Sequence, residues 1–341
     1  MLATLTFAAP CGTPAPQRVP TLRVRSADEL RGAMRQARQS PLAVDASGMD
    51  RVLRVDAERA LLEVQAGASW KLLAAYLAQR GVALEAFACA PGLPPTVGEA
   101  VQQAAAGPDG LPVCAHVVSL TLVMPDGELR RAGRESNREL FRLALGGQGA
   151  IGVLYSVTLC IASLEASARQ AQAPVDLCIS DAAAAGTVRC EIECLLPPEA
   201  LAAFLAEVRA AAHEHRIALH GISVRRTLPD RDAFLCWARR DWAAVQVRFG
   251  VKPTLGAGVR AAEIRRMLLC MALECGGSFP IRDPRHATRE QLAACYPMLG
   301  AFLGEKRRAD PAERLQNAWY REVCAKLRAE PCEIRWEKAR T

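Results

Sequence analysis

The chain has 341 residues, long enough for two lobes rather than one core. With 51% hydrophobic and 23% charged residues it is globular, which excludes a disordered chain, and 5% aromatic content argues against a base-stacking nucleic-acid platform. The net charge of +7 is spread along the chain, and its densest cluster, Lys306-Arg307-Arg308, is flanked by Glu305 and Asp310, so anionic small molecules suit it better than nucleic acid.

Residues 1–20, rich in Pro, Thr and Ala, read as a loose arm. They lack the basic start of a signal peptide, and no apolar run reaches the ~20 residues that span a bilayer. Thirteen cysteines occur without any C-x-x-C, and the five histidines lie at no zinc-finger spacing from them. The cysteines therefore read as small core residues in a reducing compartment, with no metal site and a cytoplasmic location. Thr21-Leu22-Arg23-Val24 is a short strand. Ser26 and Glu29 form a capping box for a helix whose apolar face is Leu30, Ala33, Met34 and Ala37. A strand at 41–44 follows, and then a strand pair at 52–56 and 61–66. Gly67-Ala68-Ser69-Trp70 opens a helix with Leu72, Leu73, Tyr76 and Leu77 as its stripe and Gly81 as its end. The run 91–98 is too proline-rich for regular structure, and 99–106 reads as a short helix. Strands at 117–124 and 128–131 flank a turn at Pro125-Asp126-Gly127. Asn137 is expected to cap a helix over 138–143.

Four glycines then fall within seven residues: Gly146, Gly147, Gly149 and Gly152. The aliphatic strand 153–159 follows them. Grouped glycines let the backbone take φ > 0, approach another surface closely and turn amides outward. An anion or flat cofactor is one guest for such a bend; a tight helix-to-strand turn needs none. In the second half, strands at 187–196, 218–225 and 243–249 alternate with a helix after Pro197-Pro198-Glu199, carrying Leu201, Phe204, Leu205 and Val208. A further helix at 262–274 ends at Gly276. The pattern is α+β, with an antiparallel sheet covered by helices.

The order of these features resembles a known family. Strand pair, Gly-Ala-Ser-Trp, helix, Pro-Gly-x3-Thr-Val-Gly, strand, Pro-Asp-Gly, strand, Asn-x-x-Leu-Phe and Gly-Gly-x-Gly-x-x-Gly-Val is similar to the PCMH-type FAD-binding domain of the vanillyl-alcohol oxidase / p-cresol methylhydroxylase superfamily. The later residues Gly277-Ser278-Phe279-Pro280-Ile281-Arg282, Tyr296-Pro297, Lys306, Asp310-Pro311 and Asn317-Ala318-Trp319 resemble its aldonolactone-oxidase and decaprenylphosphoryl-ribose-oxidase branch. The resemblance implies a cofactor domain over 21–165, a substrate cap over 166–280 and a segment over 281–341 returning to the cofactor domain. It implies a shortened, divergent oxidoreductase in which FAD takes hydride from a hydroxylated sugar, lactone or alcohol and passes electrons to an unidentified acceptor. A homologue with weak or no FAD, acting as a binding or partner protein, is the alternative.

By the same resemblance, Pro91, Gly92, Thr96, Val97 and Gly98 would line the flavin and pyrophosphate. Gly146, Gly147, Gly149, Gly152 and Val153 would lie against the cofactor through their backbone, though close strand packing equally explains Gly152. Arg282 stands where the branch places a lysine beside the reduced flavin; a surface pair with Asp283 is its other reading. Glu193 and Arg225 would face substrate from the cap, or form an inter-strand ion pair. His286 would act as acid or base, or cap the helix after Thr288. Three departures stand out. Glu99 replaces a glycine and would set a carboxylate against the pyrophosphate, a cost of order a few kcal/mol unless an arginine screens it. Ala106 replaces the histidine to which some members attach flavin, so FAD would be non-covalent. Residues 40–48 contain no glycine-rich first pyrophosphate loop.

Overall fold

The computed structural model describes residues 21–36, 42–177 and 186–328. The arm expected at 1–20, the start of the strand expected at 41–44, and the residues past 328 lie outside the described residues. Strand β1 (Thr21–Arg23), helix α1 (Ala27–Gln36) and strand β2 (Ala43–Asp45) make a small parallel unit, with Leu22 opposite Val44. The start of α1 is fixed locally. The Glu29 amide donates to Ser26 Oγ at 3.1 Å, and the Glu29 carboxylate accepts from the Arg25 amide. Leu30 and Met34 on its inner face are buried with Val24, Val153 and Leu315.

Next come strands β3 (Val52–Asp56) and β4 (Leu61–Gln65), then helices α2 (Trp70–Ala78), α3 (Glu85–Cys89) and α4 (Val97–Gln102). Strands β5 (Val117–Val123) and β6 (Leu129–Gly133), helix α5 (Arg138–Ala144) and strand β7 (Val153–Cys160) follow. The five strands form an antiparallel sheet in the order β3-β4-β7-β5-β6. The glycine-rich bend thus delivers its strand to the sheet centre, where Leu154, Val157 and Leu159 are buried. Helix α4 starts at Val97, not Glu99, because Thr96 Oγ1 accepts from the Glu99 amide and caps it. Asn137 is not a side-chain cap. It sits in the left-handed region (φ 52°), and its amide reaches back to the Arg131 carbonyl at 3.5 Å.

Helix α6 (Ile161–Arg169) leads to strands β8 (Val175–Leu177) and β9 (Val188–Leu196), helix α7 (Leu201–Glu214), strands β10 (Ala218–Thr227) and β11 (Trp242–Val251), and helix α8 (Ala257–Glu274). The second sheet is antiparallel in the order β8-β10-β11-β9. Side chains alternate across it. Cys194, Ile222, Val245 and Val247 face α7 and α8 and pack with Phe204, Val208, Ile264 and Leu268. Leu195 and Ala244, on the opposite face, are buried in the core of the first sheet's lobe. Helices α9 (Arg289–Cys295), α10 (Leu299–Ala309) and α11 (Ala318–Arg328) bring the chain back, and Leu315 forms a parallel bridge with Leu42 beside β2. The return is pinned by Lys306, a fully buried ammonium paired with Asp310, whose Oδ2 also accepts from the Leu315 amide at 2.8 Å. No helix among the described residues is long and apolar enough to cross a membrane.

Candidate active site at the seam between the two sheets

Register decides what the second sheet presents to the first. Glu193 on β9 lies opposite Gln246 of β11, and Arg225 on β10 lies opposite Ala244 of β11. Glu193 and Arg225 are therefore not on neighbouring strands; β11 runs between them. Ala244 is small enough for the arginine to reach diagonally across it, placing Arg225 Nη2 2.5 Å from Glu193 Oε1. The other carboxylate oxygen, Oε2, accepts from Arg282 Nη2. Arg282 follows Ile281, whose carbonyl accepts from Trp319 Nε1 at 2.8 Å. Asp283 is not the partner of Arg282; it pairs with Arg285 at 3.0 Å.

Three distant parts of the chain thus meet in one cluster, with side chains 11% (Glu193), 21% (Arg225) and 29% (Arg282) exposed. Burial alone would raise the Glu193 pKa, but the two guanidiniums outweigh it and hold it at about 2. The cluster also touches the first lobe. Arg225 Nη1 donates to the Pro91 carbonyl at 3.2 Å, and a Cβ on Gly92 would lie 3.4 Å from the guanidinium. His286 stands apart, in a turn whose charged neighbours are Asp283, Arg265, Arg285 and Arg266. Burial pushes its pKa down to about 4, so it is neutral near pH 7. The cap of α9 comes from Thr288, which exchanges bonds with Gln291 in a capping box.

A second feature lies between β2 and α4. A cavity of about 200 Å³ is lined by Asp45, Ser47, Gly67, Thr96, Gly98, Glu99, Gln102, Gln148, Gly149, Val153, Gln316 and Asn317, among others. Of the predicted cofactor positions, Thr96, Gly98, Gly149 and Val153 reach it. Gly147 and Gly152 lie instead on an adjoining void of about 10 Å³. The charges lining the larger cavity are Asp45 and Glu99. Hydrogen bonds from Ser47 hold the Asp45 carboxyl below its usual range.

Close packing accounts for Gly147 and Gly152, and it constrains Gly98 as well. A Cβ on Gly98 would sit 2.7 Å from the Ala66 carbonyl, one on Gly147 2.1 Å from the Leu143 carbonyl, and one on Gly152 3.2 Å from Met124 Sδ. Amides expected to face the cofactor are used inside the chain: Val97 donates to Ala68, Gly98 to Ala66 and Gly146 to Val101; so are those of Gly67, to Met49, and Gln148, to Gln102. Residues 228–241, whose sequence shows no helix or strand period, close the seam. Trp237 Nε1 donates to the Ala104 carbonyl at 3.1 Å, Phe234 N to the Arg142 carbonyl, and Arg134 pairs with Asp232 at 2.5 Å. Ala233 would lie 3.2 Å from a Cβ on Gly146. The turn after Gly107 docks on the same loop, its Gly110 carbonyl accepting from the Leu228 amide at 2.8 Å.

Residues 21–133 match a family described as an FAD binding domain. That third of the chain therefore carries an FAD-binding domain. Its match to L-galactono-1,4-lactone dehydrogenase of Arabidopsis thaliana is 36% identical over 120 residues, covering 34% of this chain and 19% of that protein. A dehydrogenase of the same name from Oryza sativa subsp. japonica is 36% identical over 113 residues, 33% of this chain and 19% of the other. The match thus spans about a fifth of the length of these relatives. An alkyldihydroxyacetonephosphate synthase structure shares the fold, with a TM-score of 0.58 at 10% identity over 86% of this chain and 75% of the other.

FAD is the cofactor of the domain this chain carries. The residues fit it at one end. The cavity beside β2 and α4 offers hydroxyl and amide side chains for a dinucleotide's phosphates and ribose. Its volume is below the ~300–1,000 Å³ of ordinary ligand pockets, and Glu99 sets a carboxylate on its wall. Pro91–Gly92, expected to line the flavin, is covered by the chain's own Arg225, and Ala104 by Trp237.

Proposed function

We propose that the chain is an FAD-dependent oxidoreductase acting on a hydroxylated small molecule of the sugar, lactone or alcohol kind, with electrons leaving to a separate acceptor. The observation that carries this reading is the buried Glu193–Arg225–Arg282 cluster, which gathers charged groups from β9, β10 and the returning segment beside a domain that matches an FAD-binding family. When bound, FAD supplies the hydride acceptor for the carbinol carbon. In this reading residues 21–165 hold the cofactor through Thr96, Gly98, Gln148, Gly149 and Val153, residues 166–280 cap the substrate, and 281–341 bring Arg282 to the seam. Glu193, ionised at neutral pH, fixes both guanidiniums in place, and Leu195 and Ala244 beside it exclude water. The ten described cysteines are all free, which agrees with the reducing cytoplasm proposed for the protein.

A second reading has a specific observation in its favour. The Arg225 guanidinium against Gly92, the Trp237 bond to Ala104 and the intramolecular use of the bend amides suit a homologue that keeps the fold with weak or no FAD. An absorbance spectrum of the purified protein, followed by FAD titration, separates the two. The oxidoreductase reading expects flavin bands between about 350 and 450 nm. It also expects Glu99→Gly to tighten FAD binding by about tenfold through loss of the carboxylate at the pyrophosphate. A colourless protein whose melting temperature does not move with added FAD supports the second reading instead.

A further inference from the structure

The cluster at the seam is unbalanced. Glu193 contributes one negative charge and Arg225 and Arg282 two positive ones. The next carboxylate on that face, Glu191, is held by Gln246 at 3.0 Å in an exposed pair, and Asp283 is taken by Arg285. Two guanidiniums carry ten N–H donors between them. Among the described residues only three bonds engage them: two to Glu193 and one to the Pro91 carbonyl. Arg282 spends a single nitrogen, and among the described residues its remaining donors meet no acceptor although the side chain is only 29% exposed. A largely desolvated cation with unfilled donors draws an oxyanion more strongly than a hydroxyl, because charge-assisted bonds are about twice as strong as neutral ones. The fixed geometry adds to this, since Glu193 already orients both planes and a ligand need not order them.

We infer that the substrate of this site is anionic: a hydroxylated carbon chain carrying a carboxylate or phosphate, whose oxyanion seats on the free edge of Arg282 beside Arg225. This names the substrate class for the oxidoreductase reading above and rests on it. A neutral lactone or polyol would leave the excess positive charge unanswered.

The test is calorimetric titration of the full chain with three probes: gluconate, glucose 6-phosphate and the uncharged sorbitol. At least one anion should bind ten times more tightly than sorbitol and weaken as salt is raised, and which anion wins distinguishes carboxylate from phosphate. Arg282→Gln should lose that binding tenfold or more, and Arg282→Lys should recover part of it. If Arg282→Gln does not fold, Arg282→Lys and the salt dependence of the wild type carry the test. Equal binding of sorbitol, no binding of either anion, or anion binding indifferent to Arg282 would overturn the inference. The flavin spectrum is read on the same sample. A colourless chain that binds the anion through Arg282 removes the oxidoreductase reading and leaves the anion site, whereas a yellow one that prefers sorbitol does the reverse.

Discussion

Replacing Glu193 with glutamine asks how much the seam depends on one carboxylate. Glutamine keeps the shape but only one of its two terminal atoms can accept, so one arginine loses its partner and the two guanidiniums face each other across a neutral group. Each hydrogen bond to a charged group contributes about 1.5–3 kcal/mol, and removing one member of a buried ion pair costs about 3–5 kcal/mol. The arginine side chains are 21% and 29% exposed, so water screens part of the repulsion, and the expected loss is about 3 kcal/mol. The assay is urea denaturation of both proteins across a pH series. The folded pKa of about 2 lies below the ordinary 4.5, so the ionised group stabilises the fold fully above pH 4.5 and progressively less as pH falls towards 2. Glutamine does not titrate. The stability gap should therefore narrow by about 2 kcal/mol between pH 7 and pH 3. A gap under about 1 kcal/mol at pH 7, or one that acid leaves unchanged, would refute the bridging role.

Asp310→Ala strands the Lys306 ammonium in a fully buried position and removes the acceptor of the Leu315 amide; a loss of about 3–5 kcal/mol in chemical denaturation is expected, and a variant as stable as wild type contradicts the pairing. Gly98→Ala pushes a methyl into the Ala66 carbonyl and should cost about 1–3 kcal/mol, seen as a lower melting temperature. Gly300→Ala on α10 meets nothing within 4 Å and should raise stability by about 0.5–1 kcal/mol in the same measurement, which makes it the matched control.

Local chemistry explains what could be read in advance. The Ser26 cap of α1, the Ser69 start of α2 and the alternation of both sheets are written in residues a few positions apart. What depends on distant partners was not legible. Arg282 offered Asp283 as its nearest counter-ion, yet its partner Glu193 is 89 residues away. Glu193 and Arg225 looked like neighbours across a strand pair, but strand order places β11 between them, and only the small Ala244 lets them meet. Gly98 and Gly152 are glycines in either a cofactor cradle or a tight packing site, and sequence cannot say which surface approaches them. Residues 228–241 carry no periodic pattern, so the Trp237 anchor to Ala104 had no signal at all.

The bridge between Leu42 and Leu315 sets an order of events during synthesis. The Leu42 amide is satisfied by the Arg314 carbonyl, and Arg314 Nη1 reaches the Met34 carbonyl, 280 residues back. Domains fold as they leave the ribosome, yet Leu42, at the entry to β2, meets its partners Arg314–Gln316 only once nearly the whole chain has been made. The corner formed by α1 and the entry to β2 is therefore closed by a late part of the chain, and a chain cut before Arg314 would leave the Leu42 amide without that carbonyl.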